Sequence, residues 1–424
     1  DAIGRRQSAQ FFRVNAAGST ADGMHTAADD SEDFSPDFDF DAVAQRTPDG
    51  YSAVLRIPFA SLRYDGEGAP AWRIMVVRRV PREQFYMHTS VLVPRDVASF
   101  IAALQHLQGV ALPERHHFLS LRPSLTARHS TERPAGLPPM RHDDAELSLD
   151  LKWRLRPEWV LDGTWRPDFS QVALDVPQLT GNTRFAQILA EKRPFFLESS
   201  DLLRSPTEAL YTRSFTEPRW GLRSTWRGRQ WAGSAFAVDD RGGGLVWLPG
   251  AWATGAAQQP GSRSLAARAL YDTGTLQWGG LAVSRHYEGD RGANQVLGPD
   301  LGWQLNQAWR LRAQWLVSDT TALPDASGEL RRGPGTRGSR ALLKALYQGD
   351  NEDGNVSVED IGAGFRNDTG FIAQAGVRSL SASYSRGWQK LGPFNDFWVN
   401  VHADQVQDKL ELARQIMERA KAKK

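Results

Sequence analysis

The sequence predicts an all-β protein: a partial β-sandwich of short strands, followed by an antiparallel β-barrel. Three observations predict it. From Leu147 to Leu155 the odd positions are Leu147, Leu149, Leu151, Trp153 and Leu155, and the even ones are Ser148, Asp150, Lys152 and Arg154. An extended strand with that alternation has one apolar face and one charged face. The pattern recurs along the chain with Trp on the apolar face, and the 15 Trp residues are spread over strand-like segments. Finally, no run of about 18 apolar residues exists, which excludes a helical membrane span; a barrel needs none, because only every second residue meets lipid.

Residues 1 to 112 form the first unit. FFRVNA, YSAVLRIPF and WRIMVVRRV read as strands, and AAGS, TPDGY and YDGEGAP punctuate them as turns. Strands at that spacing without a long amphipathic helix predict a β-sandwich. Residues 29–41, DDSEDFSPDFDFD, mix carboxylates with Phe, and 96–107 predicts one short helix. Residues 113–117 are the linker.

The wall is expected over 118–405, with 12–14 strands. Trp220, Leu222 and Trp226 oppose Arg223, Thr225 and Arg227, and Trp309, Leu311, Ala313, Trp315 and Val317 oppose Arg310, Arg312 and Gln314. Phe371, Ala373, Ala375 and Val377 oppose Gln374 and Arg378, while Phe397, Val399 and Val401 oppose Asn400 and His402. Gly, Pro and Asp cluster at 128–144, 239–263, 286–300 and 319–340, which reads as long loops. The Gly279–Gly280 pair shifts the alternation by one and predicts a bulge. Residues 406–424 read as a charged helical tail.

Composition narrows the function classes. There is no Cys, so disulfides, thiolate zinc sites and a catalytic thiol are excluded. A net charge of +2 gives no global argument for nucleic acid, and none is expected as a partner. His residues lack metal-ligand spacing, HExxH, GxSxG, GxGxxG and P-loop patterns are absent, and no pair of carboxylates stands out. No catalytic residue and no resident metal are assigned. The acids at 29, 30, 32, 33, 37, 39 and 41 offer the oxygen ligands calcium takes, without the spacing or central Gly of an EF-hand loop.

Residues 168–201 break the strand rhythm. Asp168, Gln171, Asp175, Glu191, Lys192, Arg193, Glu198 and Asp201 are too polar to meet lipid, so the segment is expected inside the wall as a constriction or plug. Its carboxylates would pair with inward cations, for which Arg122, Lys152, Arg154, Arg223, Arg227, Arg268, Arg310 and Arg312 are available. The same cations would favour anionic permeants if left open. In Glu191–Glu198, Pro194 predicts extended backbone, with Phe195 and Phe196 pointing to opposite sides and one Glu meeting a wall Arg.

LDLKWRLRPEWVLDGTWRPDFSQV, followed by EKRPFFLE, resembles the signature of a poorly characterised family of bacterial outer-membrane barrels. Its members carry an N-terminal domain similar to the family 9 carbohydrate-binding module, a DOMON-like sandwich. AVLRIPFASLRY and VPRDVASFIAALQHLQGV fit the same pattern. The resemblance implies the outer membrane of a Gram-negative bacterium, with the lipid bilayer and the barrel assembly machinery as partners. It also implies a truncated chain lacking the first strands of the sandwich. Polysaccharide or oligosaccharide binding or uptake follows as the expected function, and a pyranose ring stacks on flat aromatics. The candidates for that platform are Tyr64, Trp72, Phe85 and Tyr86. Two alternatives stand beside it: a passive channel or structural envelope protein, and an O-glycosyl hydrolase of carbohydrate catabolism, which only the resemblance suggests.

Overall fold

The computed structural model describes residues 1–411 apart from 5, 7, 28–30, 35, 37, 63, 65–70, 82–84, 95, 96, 98, 113–117, 133–139, 168–183 and 190. Nine short strands come first: β1 (Ser8–Val14), β2 (Thr20–Thr26), β3 (Ser31–Asp33), β4 (Asp41–Thr47), β5 (Gly50–Arg56), β6 (Arg73–Ile74), β7 (Val77–Pro81), β8 (Phe85–Thr89) and β9 (Gln105–His106). They make one three-stranded sheet, β1-β2-β3, and three two-stranded ones, β4-β5, β6-β9 and β7-β8. Two-stranded ribbons bury little by themselves. What holds the unit is a small core of Ala9, Ile101 and Leu104, and an aromatic cluster in which Phe59, Tyr64 and Trp72 lie 5.6–6.0 Å apart.

The strands of the wall are β10 (Phe118–Glu132), β11 (Met140–Arg156), β12 (Trp159–Trp165), β13 (Pro218–Arg227), β14 (Trp231–Asp240), β17 (Ser262–Asp272), β18 (Leu276–Tyr287), β19 (Ala293–Gln304), β20 (Trp309–Pro324), β21 (Leu330–Gln348), β22 (Glu352–Ile361), β23 (Val377–Leu391) and β24 (Phe394–Asp408). Between β14 and β17 a separate hairpin is inserted, β15 (Leu245–Pro249) with β16 (Thr254–Gln258). The 13 wall strands pair in chain order, each antiparallel to the next. β10 and β24 are the edges, and among the described residues no pairing joins them.

Register sets the two faces. Trp153 lies opposite Leu161, Trp159 opposite Trp226, Trp165 opposite Trp220, and Trp309 opposite Tyr347, all on the outer face. Trp315 is 56 % exposed, and Leu149, Trp220 and Trp278 are exposed beside it, which is the aromatic-rich apolar outside of an outer-membrane-type barrel. The alternate positions turn inward. Phe236, Val238, Ala266, Leu281, Val283, Val296, Leu316 and Ile361 come from six strands into one core, with Phe196, Phe215, Phe365 and Ile372 of inserted segments at its centre. The wall therefore curls around those segments.

The two ends differ. Turns of two to four residues join β11 to β12, β13 to β14, β17 to β18, β19 to β20, β21 to β22 and β23 to β24, all at one end. At the other end lie the longer connections, including 166–217, 241–261 and 362–376. The first unit docks at the short-turn end. Arg310, at the start of β20, donates to the Ala27 carbonyl at 2.9 Å, and Arg154, at the end of β11, donates to the Phe59 carbonyl at 2.9 Å. Asp33 pairs with Arg204 at 3.0 Å and Asp39 with Arg122 at 3.4 Å.

Several expectations are corrected. Residues 128–144, 286–300 and 319–340 are largely strand, because β10, β11, β20 and β21 continue into stretches rich in polar residues, and β19 begins at Ala293 with Val296 inward and Leu297 outward. The Gly279–Gly280 pair makes no bulge: Leu270–Gly279–Asp300 and Ala269–Gly280–Pro299 pair without a register shift. Phe371–Ala375 is no strand; it belongs to the 362–376 insertion, and β23 starts at Val377. WRIMVVRRV breaks into β6 and β7, and the helical expectation for 96–107 reduces, among the described residues, to a single 3-10 turn, Phe100–Ala103. Of the expected tail, β24 takes 406–408, the helix begins at Lys409, and 412–424 lies outside the described residues.

Candidate functional site: the lumen and its inserted segments

The plug starts at Glu191. Its carboxylate accepts from the Arg193 guanidinium at 2.7 and 2.8 Å and from Thr212 Oγ1 at 2.6 Å. Arg193 also donates to the carbonyls of Phe215 and Thr212 and lies over the Phe196 ring, 4.3 Å from its centroid. Pro194 opens a one-turn helix, α1 (Pro194–Leu197), where its missing N–H costs nothing. Only Arg193 is extended, so the expectation of extended backbone fails after it. Phe195 still faces the wall, where Gly221 makes room: a Cβ there would sit 2.7 Å from the Phe195 ring. Phe196 turns into the plug and stacks on Phe215, with centroids 5.7 Å apart and planes 9° apart.

Charge fixes the plug to the wall. Glu198 meets Lys152 at 3.1 Å, a wall lysine where an arginine was expected. Asp201, in α2 (Ser200–Leu203), meets Arg227 at 2.6 Å. Within the wall, Arg223 pairs with Asp162 at 3.2 Å and Arg268 with Asp300 at 2.5 Å. All of these but Lys152 and Glu198 have side chains less than a tenth exposed. Deleting one partner of such a pair leaves a buried charge and costs about 3–5 kcal/mol.

A second insertion closes the long-loop end. Arg285 is fully buried and donates to Ser262 Oγ, the carbonyls of Ser214 and Asp368, and the Asp240 carboxylate, at 3.0–3.3 Å. The turn Arg366–Gly370 fits beside it. Asp368 takes a two-point contact from Arg366 at 2.6 and 2.8 Å and a hydrogen bond from Tyr287 at 2.8 Å. The β15–β16 hairpin covers this turn, with Thr254 donating to the Ala373 carbonyl at 2.7 Å. Between hairpin and turn lies a small polar cavity lined by Ser214, Trp247, Asn367 and Asp368.

The part of the lumen lined by β22–β24 is polar. On β23 the inward positions are Ser379, Ser381, Ser383 and Ser385, flanked by Asn355, Ser357 and Glu359 of β22 and by Asn400, His402 and Asp404 of β24. These side chains are partly or fully exposed, and none joins the packed core.

The structure places the expected sugar platform unevenly. Tyr64 and Trp72 are buried in the aromatic cluster with Phe59, whereas Phe85 and Tyr86 on β8 are exposed. Asp168 and Gln171 lie outside the described residues. Glu32, Asp33, Asp39 and Asp41 each face an arginine, and among the described residues no three His or carboxylate side chains converge. The turn at 366–370, with Asp240 and Asn294, was missed, although RNDTG is a polar break in an otherwise alternating stretch.

A family described as "Domain of unknown function (DUF5916)" matches residues 119–217, which span β10–β12 and the plug. No curated protein matches the chain. Among solved structures, the in-vitro folded OmpT, an outer membrane protein of Vibrio cholerae, is 8 % identical, with 68 % of this chain and 97 % of that one covered and a TM-score of 0.26. The outer-membrane expressed OmpT of the same organism is 10 % identical over 69 % of this chain and 99 % of that one, again at 0.26.

Proposed function

We propose that this chain is a Gram-negative outer-membrane barrel that binds or takes up glycans along the polar side of its lumen, with its first unit in the periplasm. The observation that supports it most is the division of the interior. One side is a dry, ion-paired plug, and the other is a lane of Ser, Asn, Asp and His side chains suited to a hydroxyl-rich solute. The outer apolar band supports a bilayer location. Short turns face the periplasm in outer-membrane barrels, which puts the docked first unit there. In that unit Phe85 and Tyr86 are exposed, and the resemblance to the family 9 carbohydrate-binding module would give them the role of stacking on a sugar. Assembly would pass through the barrel assembly machinery, and calcium remains the cation its acids would suit.

A wide passive channel is disfavoured by the packed core, which fills the lumen beside β14 and β17–β20. A glycosyl hydrolase needs two carboxylates free to act across a bond. Asp162, Asp201, Asp240 and Asp300 each face an arginine, Glu198 faces Lys152, and buried Asp272 accepts from the Gly274 N–H and Gln277. The test is retention on a glycan array together with bilayer conductance. Saturable retention that falls in Phe85→Ala/Tyr86→Ala is expected. Steady sugar-independent conductance without retention would establish the passive channel instead.

A further inference from the structure

The lane borders a patch whose unmet hydrogen-bonding capacity is of one kind. Arg340, Leu342 and Lys344 are successive inward residues of β21, lying opposite Leu316, Gln314 and Arg312 of β20. On their other side are Ile361, Glu359 and Ser357 of β22, and Ser357 in turn lies opposite Ser381 of the lane.

Gln314 is 3 % exposed, and its Oε1 accepts from the Thr207 N–H at 3.0 Å and the Thr207 hydroxyl at 2.7 Å. Those two donors fix the amide, because flipping it would set donors against the Thr207 N–H. Its Nε2 is thereby committed to donating, and it is buried without an acceptor. Arg340 directs Nε and Nη2 at Glu359, both at 2.7 Å, and its Nη1 is buried without an acceptor. Lys344 has no ion-pair partner among the described residues and lies directly across from Arg312. The carboxylates near the patch are Glu359, Glu208 and Asp300; Glu208 lies near Arg204 and Arg340, and Asp300, opposite Gln314, is held by Arg268.

Three open donors around Leu342, one of them the unpaired Lys344 ammonium, ask for a group that only accepts and is negative. A water would meet a donor but would leave the Lys344 charge unmatched. We infer that Gln314, Arg340 and Lys344 form a binding site for an oxyanion group, so that the solute handled by the lane carries a carboxylate, sulfate or phosphate. The substrate class becomes an acidic glycan, and this step rests on the lumenal reading above.

The test is calorimetric titration of the whole chain, refolded in detergent, at constant ionic strength. The probes are galacturonate oligomers, neutral galactose oligomers and inorganic sulfate. Wild type is compared with Lys344→Gln and with Lys344→Arg, which keeps the charge. The expected result is tighter binding of the acidic oligomer than of the neutral one. That preference falls roughly tenfold in Lys344→Gln, the loss of one charge-assisted bond, and returns in Lys344→Arg. Equal binding of both oligomers, unmoved by Lys344→Gln, would overturn the anion site and leave the glycan lane standing. Lys344-dependent sulfate binding without binding of either oligomer would keep the anion site and remove the lane. No response to any anion would mean that water meets the donors, and the inference fails.

Discussion

The Asp300 carboxylate reaches Arg268, two strands away, by crossing over Gly279. Gly279 pairs with Asp300 on one side and with Leu270 on the other, and a Cβ at Gly279 would lie 2.2 Å from Asp300 Oδ1. The ion pair at 2.5 Å exists because that position has no side chain.

Gly279→Ala therefore pushes Asp300 off Arg268. The expected cost is about 3–5 kcal/mol, that of a broken buried pair rather than of simple crowding. Gly280→Ala is the control: it faces outward and nothing lies within 4 Å of the added carbon. Urea unfolding of the refolded barrel should show Gly280→Ala close to wild type. Equal losses in the two variants would refute the bridging role of Gly279.

Arg285 joins three segments that are distant in sequence, at Ser214, Asp240 and Asp368. Arg285→Met leaves Asp240 buried and uncompensated, and should cost about 3–5 kcal/mol. The double variant Arg285→Met/Asp240→Asn should recover a good part of that loss. Heat-dependent gel mobility reads both, and a double variant worse than the single one speaks against the pair.

Trp315 stands on the outer face, more than half exposed. In lipid, Trp315→Arg should cost about 2–4 kcal/mol if this position lies at the bilayer midplane. Gln314→Leu, one residue along, points inward and takes the acceptor away from the buried Thr207 N–H and hydroxyl, so it should cost about 1–3 kcal/mol in detergent as well as in lipid. Refolding into vesicles and into detergent at graded urea separates the two, and an unaffected Trp315→Arg would mean that this face does not meet lipid.

Absence of Cys gives a clean labelling background. Ala326→Cys places a thiol in the turn between β20 and β21, and Ser52→Cys places one on β5 of the docked unit, both exposed. On intact cells an impermeant maleimide should label Ala326→Cys and spare Ser52→Cys until the outer membrane is opened. The reverse pattern would turn the proposed orientation over.

The wall was legible because its signal is local. Period-two alternation around Trp153, Trp226 and Trp315 fixes the face of each strand by itself. Strand ends were not, since outside the apolar band the alternation fades while hydrogen bonding continues, as at Arg331–Ser339. The plug's interior was legible only in kind. Polar residues at 191–201 had to leave the lipid, but the choice of Lys152 for Glu198 depends on how the insertion folds back onto β11, which no local pattern encodes. The Arg285 network was invisible for the same reason: its four segments share no local pattern. Gly279 misled because a glycine that clears space for a neighbour looks in sequence like one that bends the chain.

The plug lies in the chain between β12 and β13, yet its contacts reach β20 through Gln314 and the 367–371 turn through Ala209 and Tyr211. In order of synthesis, it precedes most of what it binds. Arg268, Arg285 and Asp240 are also too costly to bury before their partners arrive. The plug therefore finds its last partners only when the 366–370 turn is made, after eleven wall strands, and the wall curls around its filling late. A chain stalled before Arg366 would hold eleven of the 13 wall strands and a plug whose Ala209 and Tyr211 side has nothing to bind. Quality control thus follows from topology alone: partial barrels of this chain are left with charged, open interiors that a bilayer rejects.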